Sequence, residues 1–343
     1  MVIIMKAAVF YRKNDLRIEE IPIPEISADE VLIKVHACGI CGTDLHIFDG
    51  DEGAAPTPAG TVLGHEFSGE VIKIGELVKT VSVGDAVCVD PNKLCGYCDY
   101  CRGGIGHFCE NIVGIGTTVN GGFEEYCRVP QSQVYPFPKS ISFEKAAMAE
   151  PVACCLHGVD MCDISCGGTV LIIGGGMIGL IMLQLAKLRG ASVVALNEPI
   201  KEKRVLAERL GADIVIDPFN EDLADKLKEH NVKRVGTVIE SAGRLSAIEQ
   251  AIQVAGNKST VMMFGLTKPD ETITVKPFEI FKKEITLKSS YINPYTYRRA
   301  LDMIVSGKLD VSSMIYRTAE LEELPGILAD KKARGAGKYI IKL

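Results

Sequence analysis

The stretch that decides the fold is Thr169-Val-Leu-Ile-Ile-Gly-Gly-Gly-Met-Ile-Gly179. A β-branched apolar run reads as a buried strand, and three glycines spaced G-x-G-x-x-G close it at Gly174, Gly176 and Gly179. A periodic apolar helix then opens at Met177 and Ile178 and runs to Arg189, where Gly190 stops it. In that setting the first glycine permits a tight turn. The second lets a pyrophosphate approach the backbone, and the third lets helix and strand pack closely. The helix N-terminus then faces the phosphates. The expectation is a dinucleotide site built from Gly174, Gly176, Met177, Ile178 and Gly179.

Outward from this unit, strand patterns alternate with helical ones: Ser192 to Leu196, Asp213 to Ile216, Val235 to Ile239, Ser259 to Phe264 and Ile285 to Ser289. That alternation predicts an α/β fold with a doubly wound parallel sheet over 153–288. Glu198 follows the second strand, 19 residues beyond Gly179, where a carboxylate can accept from the adenosine ribose hydroxyls and disfavour a 2′-phosphate. NAD is therefore the expected coenzyme. Lys201, Lys203 and Arg204 lie close by, so NADP stays open, and Lys203 is a candidate contact to the coenzyme.

The texture before residue 152 is different. Short apolar runs such as Val31 to Val35, Gly69 to Ile74 and Ala86 to Val89 are separated by Gly, Pro and Asp turns, which predicts a β-barrel-like domain. A helix over Tyr297 to Val305 and a strand over Lys338 to Lys342 close the chain, and this final segment (289–343) can return to the first domain.

The chain holds 343 residues, 47% hydrophobic, with 38 basic and 44 acidic side chains and a formal net charge of −6. Disorder is excluded, and there is no electrostatic reason to expect nucleic acid or an anionic membrane. The run Val170 to Ala186 approaches the length of a short membrane span. It carries four glycines and Gln184, however, and reads as a buried strand and helix. Met1 to Phe10 has no basic start, apolar core and cleavage site, so the expected location is the cytoplasm. In that compartment twelve cysteines point to metal ligation or packing, not to disulfides.

Four of them, Cys95, Cys98, Cys101 and Cys109, are spaced x2, x2 and x7 among glycines, which fits a closed tetrahedral zinc site with a structural role, in a lobe over about 91–113. Cys154, Cys155, Cys162 and Cys166 have weaker spacing and read as packing residues. A second set is dispersed: Cys41, His65, Glu66 and Glu150. One thiolate, one imidazole and a carboxylate suit a catalytic zinc site with an open position for water or alcohol.

Together these motifs resemble the zinc-containing medium-chain alcohol dehydrogenases along essentially the whole chain. Gly64-His65-Glu66-x2-Gly69-x5-Gly75-x2-Val78 matches the family's zinc signature. Gly84-Asp85-x-Val87 and the four-cysteine lobe follow in the usual order. The resemblance implies a GroES-like catalytic domain built from 1–152 and 289–343, a Rossmann domain inserted at 153–288, a coenzyme cleft at their junction, two zinc ions per chain, and a homo-oligomer, dimer or tetramer by analogy. It also implies that Cys41 and His65 ligate the catalytic zinc, that Thr43 hydrogen-bonds the substrate and that His46 is the outer proton acceptor.

Glu150-Pro151 stands where alcohol dehydrogenases carry a third-ligand cysteine, a feature similar to the sorbitol and polyol branch. That branch favours Glu66 as the ligand with Glu150 exchanging, and either order satisfies the sequence. Ile47 after His46, and Tyr291-Ile-Asn293, depart from the sorbitol pattern. Cys41 to Ile47 resembles threonine and butanediol dehydrogenases as closely. The expected activity is hydride transfer from a secondary alcohol in a polyol, sugar alcohol or vicinal diol to NAD. The alternatives are an amino alcohol such as threonine, a sugar-alcohol phosphate, and a catalytically silent nucleotide-binding scaffold. Tyr291, Asn293, Arg298 and Arg299 are candidate partners for extra hydroxyls.

Overall fold

The computed structural model describes residues 3–51, 56–330 and 337–343; Met1 and Val2 of the N-terminal stretch lie outside them. Contacts divide the chain into two compact units, Met1–Ala153 with Asn293–Leu343, and Cys154–Ile292.

In the first unit the strands are β1 (Ile4–Arg12), β2 (Asp15–Pro22), β3 (Glu30–Gly39), β4 (Thr61–Val62), β5 (Glu66–Ile74), β6 (Ala86–Val89), β7 (Asn92–Lys93), β8 (Val113–Gly114), β9 (Tyr126–Pro130) and β10 (Val134–Pro136). The second unit contributes β11 (Thr169–Ile173), β12 (Val193–Asn197), β13 (Ile214–Ile216), β14 (Thr237–Glu240), β15 (Thr260–Met263) and β16 (Thr286–Ser289). β17 (Ile315–Glu320) and β18 (Lys338–Lys342) then rejoin the first.

The first unit is built on a seven-stranded sheet ordered β10-β6-β5-β3-β18-β17, with β9 on β3. Largely buried strands such as β1, with Ala7, Ala8, Val9 and Phe10, and β3, with Val31, Ile33, Val35 and Cys38, supply one apolar core. β18 lies antiparallel to β3, pairing Ile340 with Gly39, and β5 pairs Glu66 with the same Gly39. The C-terminal strand is thus brought beside the end of β3 and the start of β5, where the metal-ligand residues sit. The hairpin β7–β8, with Lys93 opposite Val113, carries the four-cysteine lobe between its strands.

The second unit is a six-stranded, wholly parallel sheet in the order β13-β12-β11-β14-β15-β16. Its central strands are apolar on both faces, as expected for a sheet covered by helices on each side. Reversal of strand order between β11 and β14 puts the glycine turn after β11 at the switch point where such sheets bind ligands. Strand starts differ from the sequence expectation by one or two residues, at Val193, Ile214, Thr237, Thr260 and Thr286, where the residues just before each start lie outside the strand pairing. Cys155 and Cys162 are buried packing residues and Cys154 is partly so, whereas Cys166 is exposed in the turn before β11. No helix among the described residues is long and apolar enough to cross a membrane.

Candidate metal and coenzyme sites

β3 ends at Gly39, and the helix Gly42–Phe48 starts three residues later with Cys41 as its N-cap. The cap is closed by Asp44, whose Oδ2 accepts from the Cys41 amide at 2.8 Å. This fixes the thiol at the sheet edge. His65 and Glu66 enter at the start of β5 beside it. The sulfur of Cys41, a ring nitrogen of His65 and a carboxylate oxygen of Glu66 all lie within 4.8 Å of one another. Glu150 is buried in the first turn of the helix Ala149–Asp160 and is not in that set.

The surroundings suit a divalent cation. His65 Nδ1 faces the buried Asp44 Oδ1 at 3.5 Å, which orients the ring and leaves Nε2 to a metal. Burial works to lower the His65 pKa, but Cys41 and Asp44 outweigh it and hold it well above the usual histidine range. The pocket therefore attracts positive charge. Glu66 divides its labour: Oε2 pairs with the buried Lys338 ammonium, while Oε1 is buried with no hydrogen-bond partner. Lys338 also donates to the Ile40 carbonyl at 2.9 Å. Burial depresses its pKa less than Glu66 and Cys41 raise it, so it stays charged. Gly39 makes the pairing possible, since a Cβ there would collide with Glu66 and Lys338. With Cys41 as thiolate, Asp44 and Glu66 carry three negative charges together, against one on Lys338. A dication brings the set to neutrality, so the residues fit zinc.

Thr43 Oγ1 lies 3.8 Å from the Cys41 sulfur. His46, partly exposed on the same helix, meets Asp51 at 3.2 Å. Two functional candidates had no role in the sequence reading. Asp44 sits three residues after Cys41, the spacing of a capping residue. Lys338 carries no local signal at all.

In the lobe, the sulfurs of Cys95, Cys98, Cys101 and Cys109 lie within 4.8 Å of one another. Burial raises the Cys95 thiol pKa, yet hydrogen bonds from the Tyr97 and Cys98 amides and neighbouring thiols bring it down to about 6. Burial and the same crowding push Cys101 up to about 12. Four thiolates coexist here only around a cation, which fits a closed S4 zinc site.

At the coenzyme turn Gly174 adopts φ +104°, and a Cβ on Gly179 would collide with the Gly174 carbonyl. Glu198 is buried at the end of β12, where Oε2 accepts from the Gly175 amide at 2.6 Å and Oε1 from the Ile200 amide at 2.9 Å. Each oxygen keeps a lone pair for a further donor. Arg204 is tied to Asp217 and to the Glu198 and Pro199 carbonyls, whereas Lys201 is exposed and Lys203 partly exposed. Of the extra hydroxyl partners, Asn293 is buried and spent on Asn92 and Asp90. Arg298 pairs with Asp302 on an exposed helix face.

Residues 27–139 match the alcohol dehydrogenase GroES-like domain, and residues 178–306 match the zinc-binding dehydrogenase domain. D-arabinitol dehydrogenase 1 of Uromyces fabae is 34% identical over 98% of this chain and 96% of its own length. L-threonine 3-dehydrogenase of Pyrococcus horikoshii is 37% identical over 92% and 90%. The crystal structure of a Sinorhizobium meliloti protein bound to NADP superposes with a TM-score of 0.95 at 37% identity, covering 99% of this chain and all of that one. The chain belongs to the zinc-containing medium-chain alcohol dehydrogenases. It is an oxidoreductase that acts on CH–OH groups with a nicotinamide coenzyme.

Proposed function

We propose that this dehydrogenase oxidises a secondary alcohol in a polyol, sugar alcohol or vicinal diol, with NAD as its preferred acceptor. The observation that carries the reading is the open metal set of Cys41, His65 and Glu66, with the unpartnered Glu66 Oε1 beside them; a scaffold has no use for it. The zinc ion, when bound, supplies the Lewis acidity that makes the substrate hydroxyl acidic near neutral pH, and the nicotinamide accepts the hydride. The chain's own residues do the rest. Cys41, His65 and Glu66 hold the metal, and Asp44 orients His65. Thr43 accepts a hydrogen bond from the substrate hydroxyl, and His46 with Asp51 carries the proton toward solvent. Glu150, buried in the same unit, is assigned as an exchanging ligand or local base. Cys95, Cys98, Cys101 and Cys109 hold the structural zinc.

NAD preference rests on Glu198 and on the engagement of Arg204 elsewhere, which leaves Lys201 and Lys203 of the three nearby cations for a 2′-phosphate. Gly174, Gly176, Met177, Ile178 and Gly179 form the phosphate cradle. An amino alcohol such as threonine is the second reading, favoured by the 37% identity to a threonine dehydrogenase. We assign the enzyme to the cytoplasm, supported by its twelve cysteines, none of them in a disulfide, and to a homo-oligomer, supported by the exposed edge strand β16.

The test is reduced-coenzyme formation from sorbitol, xylitol, galactitol, arabitol, butane-2,3-diol, threonine and a sugar-alcohol phosphate, with NAD or NADP, before and after chelation. Chelation-sensitive turnover of a polyol or diol with NAD supports the proposal. Threonine-only activity moves it to amino alcohols, and zinc-loaded protein that turns over no alcohol overturns it.

A further inference from the structure

The first unit contains a cavity of about 500 Å³ that shares no residue with the metal set. It lies against the β7–β8 hairpin and β9, and its charged lining is Glu30, Lys93, Glu124 and Arg128. The volume is ordinary for a small-molecule site.

Two of these groups are unsatisfied in opposite senses. Glu124 is 1% exposed, and its Oε2 is buried without a hydrogen-bond partner. Burial pushes its carboxyl up to about 8, against weaker lowering by Cys127 and Arg128. Lys93, partly buried in β7, makes no ion pair among the described residues. Arg128 is exposed and, among the described residues, makes one long hydrogen bond, 3.4 Å, to the Glu25 carbonyl. A buried carboxyl without a partner is costly, and a cationic donor is the group that relieves it best. A simple cation would satisfy Glu124 and leave Lys93 and Arg128 facing it, while a simple anion would do the reverse. A molecule bearing both charges satisfies both ends. Val113, Ile115 and Val119 add an apolar wall.

We propose that this cavity is a second ligand site that takes a small zwitterion of the amino-acid type, its ammonium on Glu124 and Glu30 and its carboxylate on Lys93 and Arg128. Isothermal titration of the zinc-loaded full chain slightly above pH 8, where the Glu124 carboxyl is ionised, tests it with L-valine, isobutylamine and isobutyrate, which share one apolar skeleton and lack an oxidisable hydroxyl. Valine is expected to bind once per chain, with the amine and the acid each weaker by at least about tenfold. Glu124→Gln and Lys93→Met should each weaken valine by at least about tenfold. Lys93→Met carries the test alone should the buried substitution impair folding. Absence of valine binding overturns the proposal, as does equal binding of the amine or the acid. Valine binding that persists unchanged in both variants places the ligand elsewhere, including at the metal, and also overturns it.

Discussion

Replacing Lys338 by Met removes one side of a buried ion pair and nothing else of similar size. Lys338 and Glu66 have side chains 1% and 0% exposed, so the surviving carboxylate cannot turn to water. Breaking such a pair from one side costs about 3–5 kcal/mol, a large share of the roughly 5–15 kcal/mol that separates folded from unfolded domains. For a unit of this size that corresponds to a fall in Tm of roughly 6–20 °C. The penalty should depend on metal. With zinc bound, the Glu66 charge has a second counterion, so the loss should be smaller in the loaded protein than after chelation. Adding Glu66→Gln to Lys338→Met should restore most of the stability of the chelated protein, since two neutral groups leave no stranded charge. The chain lacks tryptophan, so thermal unfolding is best followed by circular dichroism. A chelated Lys338→Met protein within about 1 kcal/mol of the parent, or a double variant no better than the single one, would refute the reasoning.

Asp44→Asn keeps the Cys41 amide acceptor in shape but removes the charge facing His65, so zinc affinity at that site should fall about 10–100-fold, measured by competition with a chromogenic chelator. Cys98→Ser should reduce bound zinc from two ions to one by native mass spectrometry and lower the Tm, while leaving the Cys41 set metal-loaded; loss of both ions would contradict the independence of the two sites. Glu124, with its carboxyl raised to about 8, binds its proton more tightly folded than unfolded. Its contribution is therefore fully present below the ordinary carboxylate range and is lost as pH rises toward 8. Glu124→Gln should gain on the parent progressively across that window, by at most about 5 kcal/mol, and parallel stability curves for the two proteins would refute the assignment.

Both units are legible in the sequence where a pattern is local. Thr169 to Gly179 declares strand, turn and helix within eleven positions because backbone geometry there demands glycine, and the four lobe cysteines declare themselves by spacing. Asp44 was visible but silent, since an acid near a helix start reads first as a cap, and its second task toward His65 needs β5 laid alongside. Lys338 could not be read, because nothing near it in the chain calls for a buried ammonium; only the pairing of β18 with β3 supplies the reason. Asn293 looked like a hydroxyl partner and is instead used by Asn92 and Asp90, contacts about 200 residues away in sequence. Glu124 carries no signal of its own in the sequence, because its burial depends on strands that close around it.

The separation of 272 residues between Glu66 and Lys338 has a meaning in time. At about 5–20 residues per second of synthesis, roughly 14–54 s pass between the two leaving the peptidyl-transfer centre. During that interval the entire parallel-sheet unit is made, while Cys41, His65 and Glu66 have no counterion from β18. The nascent chain therefore carries a thiol, an imidazole and a carboxylate that any passing transition metal can bind before the sheet edge is finished. Until the last strand pairs with β3, the Glu66 carboxylate at this site has no ammonium beside it.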